Sequence, residues 1–295
     1  MSPSPSSPAE GPVERRVEVA PGVALHVEER IGRSEAAPFV LVHGLASNVR
    51  LWDGVAERLH TLGHTVYAID QRGHGRADAP PAGYDLETAV ADLLSLITVL
   101  GLARPVLAGQ SWGGNVVLEF GWRHPDLVRG IACVDGGVIE LADWFPTWED
   151  CLTAMTPPRL DHLTLAQLEA RMKAQLPHFS ERAISAYLHC FRERPDGTIE
   201  PRLQRDRHLL IVRSLWENRP SVRWPTLKAP TLLLLADSGD AKRTEAKRRA
   251  ETDALAKAAN VQSVWFSPGH HDLHLEFPER VADILDKAVR DGFFA

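Results

Sequence analysis

Cysteine is scarce in this chain. Cys133, Cys151 and Cys190 are far apart and odd in number, and no C-x-x-C pair exists. That argues against a disulfide framework and for a reducing compartment, with a cytoplasmic location as the default expectation. No apolar run approaches membrane-spanning length, so no membrane partner is expected. Charge of one sign is also missing. The net charge is −6 and the basic residues are dispersed, which excludes nucleic acid and acidic polymers as expected partners. The basic run Lys242–Arg249 is interrupted by Thr244, Glu245 and Ala246 and reads as the wet face of a helix. There is no G-x-G-x-x-G loop, no G-x-x-x-x-G-K-[ST] loop and no H-E-x-x-H pair. Neither cofactor nor metal is expected on those grounds. The first dozen residues are Ser- and Pro-rich without an apolar core; we read 1–13 as a disordered tail, not a signal peptide.

What is present is a globular composition, 44% hydrophobic and 24% charged, on a length that suits one α/β domain with an insertion. Val13–Val19 and Val23–Arg30 alternate apolar and polar residues around Pro21-Gly22, a hairpin with one half-buried face. Phe39–Val42 is a continuous apolar run, as in a buried parallel strand. Helical spacing, a strand over Thr65–Ile69, an amphipathic stretch over Tyr84–Leu100, and strands ending near Gln110 and Val134 follow in alternation. That rhythm predicts a mostly parallel sheet with helices on both faces. Residues 139–224 break it with helical patterns separated by prolines, and they predict a helical cap over the carboxyl edge of the sheet. Its Trp144, Phe145, Trp148, Met155, Met172, Phe179, Tyr187 and Trp216 should mostly form the cap's own core, with a minority lining a pocket. Alternation returns after Pro225, and a closing helix spans Pro278–Val289. The division is therefore a core of 14–138 and 225–295 with a cap of 139–224.

The chain is organised around Gly109-Gln110-Ser111-Trp112-Gly113. A strand precedes Ser111 and a helical pattern follows it, which is the strand-to-helix turn that lifts a serine hydroxyl above a sheet edge. A Cβ at either flanking glycine would crowd the strand and helix. The turn should hold Ser111 in a strained conformation, with the positive end of the next helix at the place where an oxyanion would form.

Three further motifs stand in order with this one: His43-Gly44, Asp70-Gln71-Arg72-Gly73-His74-Gly75, and the C-terminal Gly269-His270-His271-Asp272-Leu273-His274-Leu275-Glu276-Phe277-Pro278. Together they make the chain resemble the α/β-hydrolase fold superfamily over about residues 14–138 and 225–295. The resemblance implies a serine hydrolase with a Ser-His-Asp triad and a small acyl substrate. Ser111 would be the nucleophile. The base would come from the loop Ser267–Asp272, where His271 is favoured over His270 because its spacing to His274 and Glu276 matches the family pattern. The acid is left between two positions. Asp135 stands 24 residues past Ser111 at the end of the preceding strand, and Asp237 and Asp240 lie after the strand Thr231–Leu235. Asp135 is favoured over Asp240. The oxyanion hole would be the backbone N–H groups of Leu45 and Trp112. His43 is expected to turn its loop, Asp70 and Arg72 to brace a loop beneath the site, and His274 to be structural or pocket-lining.

The expected reaction is cleavage of a carboxylic ester or lactone, with amide, thioester and carbon–carbon cleavage also open because the same parts serve them all. A cofactor-free haloperoxidase or perhydrolase needs only the same triad, and a non-catalytic ligand-binding protein could keep the fold. Epoxide hydrolases and haloalkane dehalogenases of this fold use an aspartate nucleophile, which Ser111 argues against. Oligomeric state is not legible.

Overall fold

A computed structural model describes residues 11–33, 35–138 and 140–295. The expected disordered tail lies mostly outside the described residues; its last residue, Val13, opens the first strand instead. Strands β1 (Val13–Ala20) and β2 (Val23–Arg30) form an antiparallel hairpin. Then come β3 (Phe39–Val42), α1 (Asp53–Thr61), β4 (Val66–Asp70), α2 (Leu86–Val99), β5 (Val106–Gln110), α3 (Trp112–Arg123) and β6 (Gly130–Val134). The cap region holds α4 (Leu141–Trp144), α5 (Trp148–Met155), α6 (Leu165–Gln175), α7 (Glu181–Leu188), β7 (Phe191–Glu193), β8 (Ile199–Pro201) and α8 (Arg205–Glu217). The chain closes with β9 (Thr231–Ala236), α9 (Ala241–Lys257), β10 (Val261–Phe266), α10 (Leu273–Glu276) and α11 (Pro278–Arg290).

The main sheet has eight strands in the order β1-β2-β4-β3-β5-β6-β9-β10. Only β2 against β1 and β4 is antiparallel; the other pairs are parallel. The continuous apolar runs follow from this. A strand covered on both faces alternates its side chains between two cores. Val40, Leu107, Ile131 and Leu233 enter the core beneath α2 and α3. Leu41, Ala108, Ala132 and Leu232 enter the core beneath α1 and α11. Each fully buried Leu or Ile side chain contributes on the order of 1.5–3 kcal/mol.

The cap differs from the expectation of helices alone. Residues 191–201 form a small antiparallel hairpin, β7 with β8. The Pro195-Asp196-Gly197 stretch makes its turn: Gly197 has φ +80°, and Asp196 Oδ1 accepts from both the amide and the hydroxyl of Thr198. That turn chemistry favours a hairpin over a helix break.

One buried ion pair ties the loop after β4 to α2. Arg72 donates through Nε and Nη2 to the two oxygens of Asp92 at 2.6 and 2.5 Å, and both side chains are buried. Removing one partner leaves the other charge without compensation, which costs about 3–5 kcal/mol. We therefore expect Asp92→Ala to lower the free energy of unfolding by that amount in denaturant titration; a loss under about 1 kcal/mol would mean that the pair is solvated.

Candidate active site

Parallel strands carry their connecting loops to one edge, and the candidate residues all stand at the carboxyl ends of strands there. Ser111 directly follows β5 with φ +53° and ψ −118°, a conformation that L residues avoid. The approach of neighbouring backbone explains the glycines. A Cβ on Gly109 would lie 2.1 Å from Gly113 O, and one on Gly113 would lie 2.4 Å from Val42 O. Gly136, after β6, passes so close that its Cβ would lie 2.1 Å from Ser111 O.

His271 and Asp135 meet beside this turn. His271 Nδ1 lies 2.8 Å from Asp135 Oδ2. Asp135 follows β6, the strand next to β5, and Ser111 N donates to Val134 O at 3.0 Å. From the other side, Gln110 Nε2 donates to His271 O at 3.3 Å and to Asp272 Oδ1 at 3.2 Å. The side chain just before the serine thus holds the backbone of the histidine loop. An Nδ1–H donated to the carboxylate leaves Nε2 with its lone pair free. The Ser111 hydroxyl makes no hydrogen bond within 3.5 Å to the imidazole; in substrate-free sites such bonds are often long.

His270 takes a different partner. Its Nδ1 faces Glu276 Oε1 at 3.1 Å, and its ring stacks on His178 of the cap. The acids after β9 also do other work. Asp240 is the N-cap of α9, accepting from Arg243 N at 3.1 Å. Asp237 accepts from Gly239 N, Thr244 Oγ1 and Ser267 Oγ. No imidazole touches either among the described residues.

The basic run on α9 needs a correction. Lys247 is not on a wet face; it is buried, at 7% exposure, and its Nζ donates to both Asp135 oxygens at 2.7 and 2.8 Å and to Ala236 O at 2.8 Å. Ala254 is the other buried residue of α9, and partly buried Ala250 lies between the two. The helical repeat of that alanine stripe, stepped back to 247, was the signal available in the sequence. The charge pattern of the run masked it.

Burial pushes the Asp135 carboxyl up, but the hydrogen bond and charge of His271 and the charge of Lys247 outweigh it, so its pKa lies below the ordinary range. For His271, desolvation alone would lower the pKa. The side chain is 55% exposed, however, and the hydrogen bond and charge of Asp135 prevail, so the net shift is upward.

The loop after β3 lies across the turn from Asp135. A Cβ on Gly44 would sit 3.0 Å from Ser111 Cβ, so Leu45 follows directly beside the serine. The Trp112 amide opens α3 and has no intrahelical acceptor. Neither it nor the Leu45 amide donates to a described residue. Two histidines brace this loop. His43 Nδ1 donates to Gly44 O at 2.7 Å while Nε2 accepts from Gln71 N at 3.1 Å. His74 Nδ1 donates to Arg72 O at 2.9 Å while Nε2 accepts from Ala46 N at 3.3 Å. Each ring can do both only when neutral. Burial keeps them so, lowering the pKa of His43 and taking that of His74 down to about 3. Asp70 accepts from Val49 N, Arg76 N and His26 Nδ1, bracing the same region from below. His274 is fully buried against Trp52, with neither ring nitrogen hydrogen-bonded, and burial takes its pKa down to about 4.

The cap reaches the site through Tyr187, whose hydroxyl donates to Asp272 Oδ2 at 2.6 Å. Trp144 and Phe145 instead line a separate cavity of about 540 Å³ between α4 and α9. Trp148 and Trp216 pack on each other, as expected of an internal cap core. One group of described residues has metal-binding spacing: Glu14, His26 and Glu28 on β1 and β2. Arg76 already donates to Glu14 at 2.6 Å, so that group reads as an ion-pair cluster.

Comparison with known proteins identifies the fold family. Residues 37–232, well over half of the chain, match the family described as alpha/beta hydrolase fold. The chain belongs to that family. Among its relatives is the 2-(acetamidomethylene)succinate hydrolase of Mesorhizobium japonicum, 29% identical over 178 residues, which are 60% of this chain and 55% of that protein. Another is the soluble epoxide hydrolase of a Corynebacterium species, 34% identical over 111 residues, 37% of this chain and 38% of that one. The match therefore spans little more than half of the first relative and less of the second. A crystal structure of E-2-(acetamidomethylene)succinate hydrolase superposes with a TM-score of 0.74 at 22% identity, covering 94% of this chain and 99% of that one, which shows the shared fold. No helix among the described residues is long and apolar enough to cross a membrane.

Two outcomes follow. A general base works only when neutral, and the His271 pKa is raised, so with His271 in that role the acid limb of kcat/KM should have its midpoint above the ordinary histidine value of about 6.5. A midpoint below that value in a pH–rate profile would contradict the assignment. Asp135→Asn should lower kcat by on the order of 10⁴. Asp240→Asn, which preserves a capping side chain, should leave it within about twofold.

Proposed function

We propose that this chain is a serine hydrolase that cleaves a carboxylic ester or lactone of a small acyl substrate through an acyl-enzyme. Ser111 is the nucleophile, His271 the base and Asp135 the orienting acid, and no cofactor takes part. The observation that supports this reading best is the 2.8 Å His271–Asp135 bond beside a serine in left-handed backbone.

A hydroxyl is a weak nucleophile near neutral pH and needs a base in reach. As Ser111 Oγ attacks the carbonyl carbon, His271 Nε2 takes its proton. Asp135 holds the Nδ1–H and stabilises the imidazolium that forms, without itself being protonated. The carbonyl oxygen becomes an oxyanion between the Trp112 and Leu45 amides, each such donor being worth about 10²–10³ in rate. The intermediate collapses, the C–O bond to the leaving alcohol breaks, and that oxygen recovers the proton from His271. Water, deprotonated by the same imidazole, then attacks the acyl-serine; the serine oxygen leaves and takes up the proton, and the acid departs.

The serine supports an acyl reaction over opening of an epoxide, even with an epoxide hydrolase among the relatives. The relative acting on an acetamido compound puts amides beside esters and lactones in the substrate panel.

A fluorophosphonate probe should label the native protein and fail on Ser111→Ala. His271→Ala should abolish turnover of acyl-nitrophenols of graded chain length, while His270→Ala should be far milder. A folded native protein that takes no label would favour a ligand-binding role instead, and equal loss from the two histidine changes would undo the choice of base.

A further inference from the structure

Lys247 has a place in the site that its position on α9 does not announce. An ammonium has three N–H donors. Here all three have acceptors at 2.7 to 2.8 Å: Asp135 Oδ1, Asp135 Oδ2 and Ala236 O. A neutral amine could satisfy only two of them, whereas the ammonium satisfies all three. Asp135 is equally committed. Its Oδ1 accepts from Lys247 and from Ala236 N at 2.9 Å; its Oδ2 accepts from Lys247 and from His271 Nδ1. The carboxylate is 4% exposed and cannot rotate without breaking one of these bonds.

We propose that Lys247 is a positioning residue of the site: its ammonium locks the Asp135 carboxylate in the orientation that receives His271, and moderates that carboxylate's pull on the imidazole proton. The proposal rests on the triad reading above.

A lone buried carboxylate would stabilise an imidazolium strongly. Here the charge of Asp135 is largely matched before any imidazolium forms, so the base gives up its proton at lower pH than it otherwise would. The other groups facing His271 leave room for this effect. Asp272, adjacent in the chain, favours the imidazolium, but its oxygens are engaged by Tyr187 and Gln110. His274 is held neutral by burial, and His270 is turned to Glu276. Asp135 pulls the His271 pKa up and Lys247 pulls it down. A role confined to stability would leave that balance untouched, so the pH profile separates the two.

The test is the rate of fluorophosphonate labelling between about pH 5 and pH 9, followed for the wild type, Lys247→Met and Lys247→Gln, with Ser111→Ala as the blank. Methionine matches the stem and drops both charge and donors. Glutamine drops the charge but can still donate to the carboxylate, and it stands in if the methionine variant does not fold. Both neutral variants should move the midpoint of the acid limb to higher pH by about half a unit or more, which slows labelling below the midpoint about threefold. The methionine variant, with the carboxylate less constrained, should also lose plateau rate relative to the glutamine variant. Folded variants whose midpoint stays in place or moves to lower pH overturn the proposal, whatever happens to their stability. A wild type that takes no label at all overturns the triad reading itself, a result that cannot be confused with an unshifted midpoint.

Discussion

The carboxylate of Asp135 is where the architecture and the chemistry meet. It gathers the end of β6, the Ala236 peptide at the end of β9, the Lys247 side chain of α9 and the His271 ring from the C-terminal loop. Burying a carboxylate costs several kcal/mol unless its charge is paired and its lone pairs are filled. Here both conditions hold. Asp135 also sits at φ +45°, a backbone conformation that costs on the order of 1–3 kcal/mol and persists only when its surroundings over-determine it. Four bonds on one carboxylate are that over-determination. They fix where the imidazole must stand, and the glycines that let Ser111 approach the β3 and β6 loops fix where the hydroxyl must stand.

Two kinds of histidine serve this edge of the sheet, distinguished by environment and not by position in a motif. His43 and His74 each bridge a carbonyl and an amide N–H, a task that only the neutral ring performs. Desolvation favours the neutral ring in both, lowering the pKa of His43 and taking that of His74 down to about 3. His271, more than half exposed and facing a carboxylate, is displaced the other way. The braces of the loop carrying the Leu45 amide are thus shifted to lower pH while His271 is shifted to higher pH. A brace made from unburied histidines would lose the lone pair that accepts the amide N–H as the ring protonates.

Much of this was legible from the chain, for physical reasons. Strands covered on both faces must be continuously apolar, so Phe39–Val42 and Thr231–Leu235 announce themselves; the crowding around Ser111 demands Gly109 and Gly113 at fixed offsets. The acid could not be chosen as cleanly. Asp135, Asp237 and Asp240 all follow strands, and only the packing of α9 shows that Asp240 caps a helix while Asp135 faces an imidazole. Lys247 was misread because a charge run signals solvent on average, whereas a buried partner overrides the average. The β7–β8 hairpin escaped because three-residue strands carry too little periodicity to be seen, even with Asp196-Gly197 marking the turn.

The cap is bonded to the candidate site, not merely laid over it. Tyr187 on α7 donates to Asp272, the residue after His271; Asp272 accepts in turn from Gln110, the residue before Ser111. One residue earlier on the same helix, Ala186 O accepts from Asn48 in the loop after β3. The cap is thus one hydrogen bond from the loop that carries His271 and one from the loop that carries the Leu45 amide. A substrate that shifts α7 must also shift one of those loops. In the proposed mechanism, a substrate that displaced α7 would therefore act on the placement of His271 as well as on its own affinity.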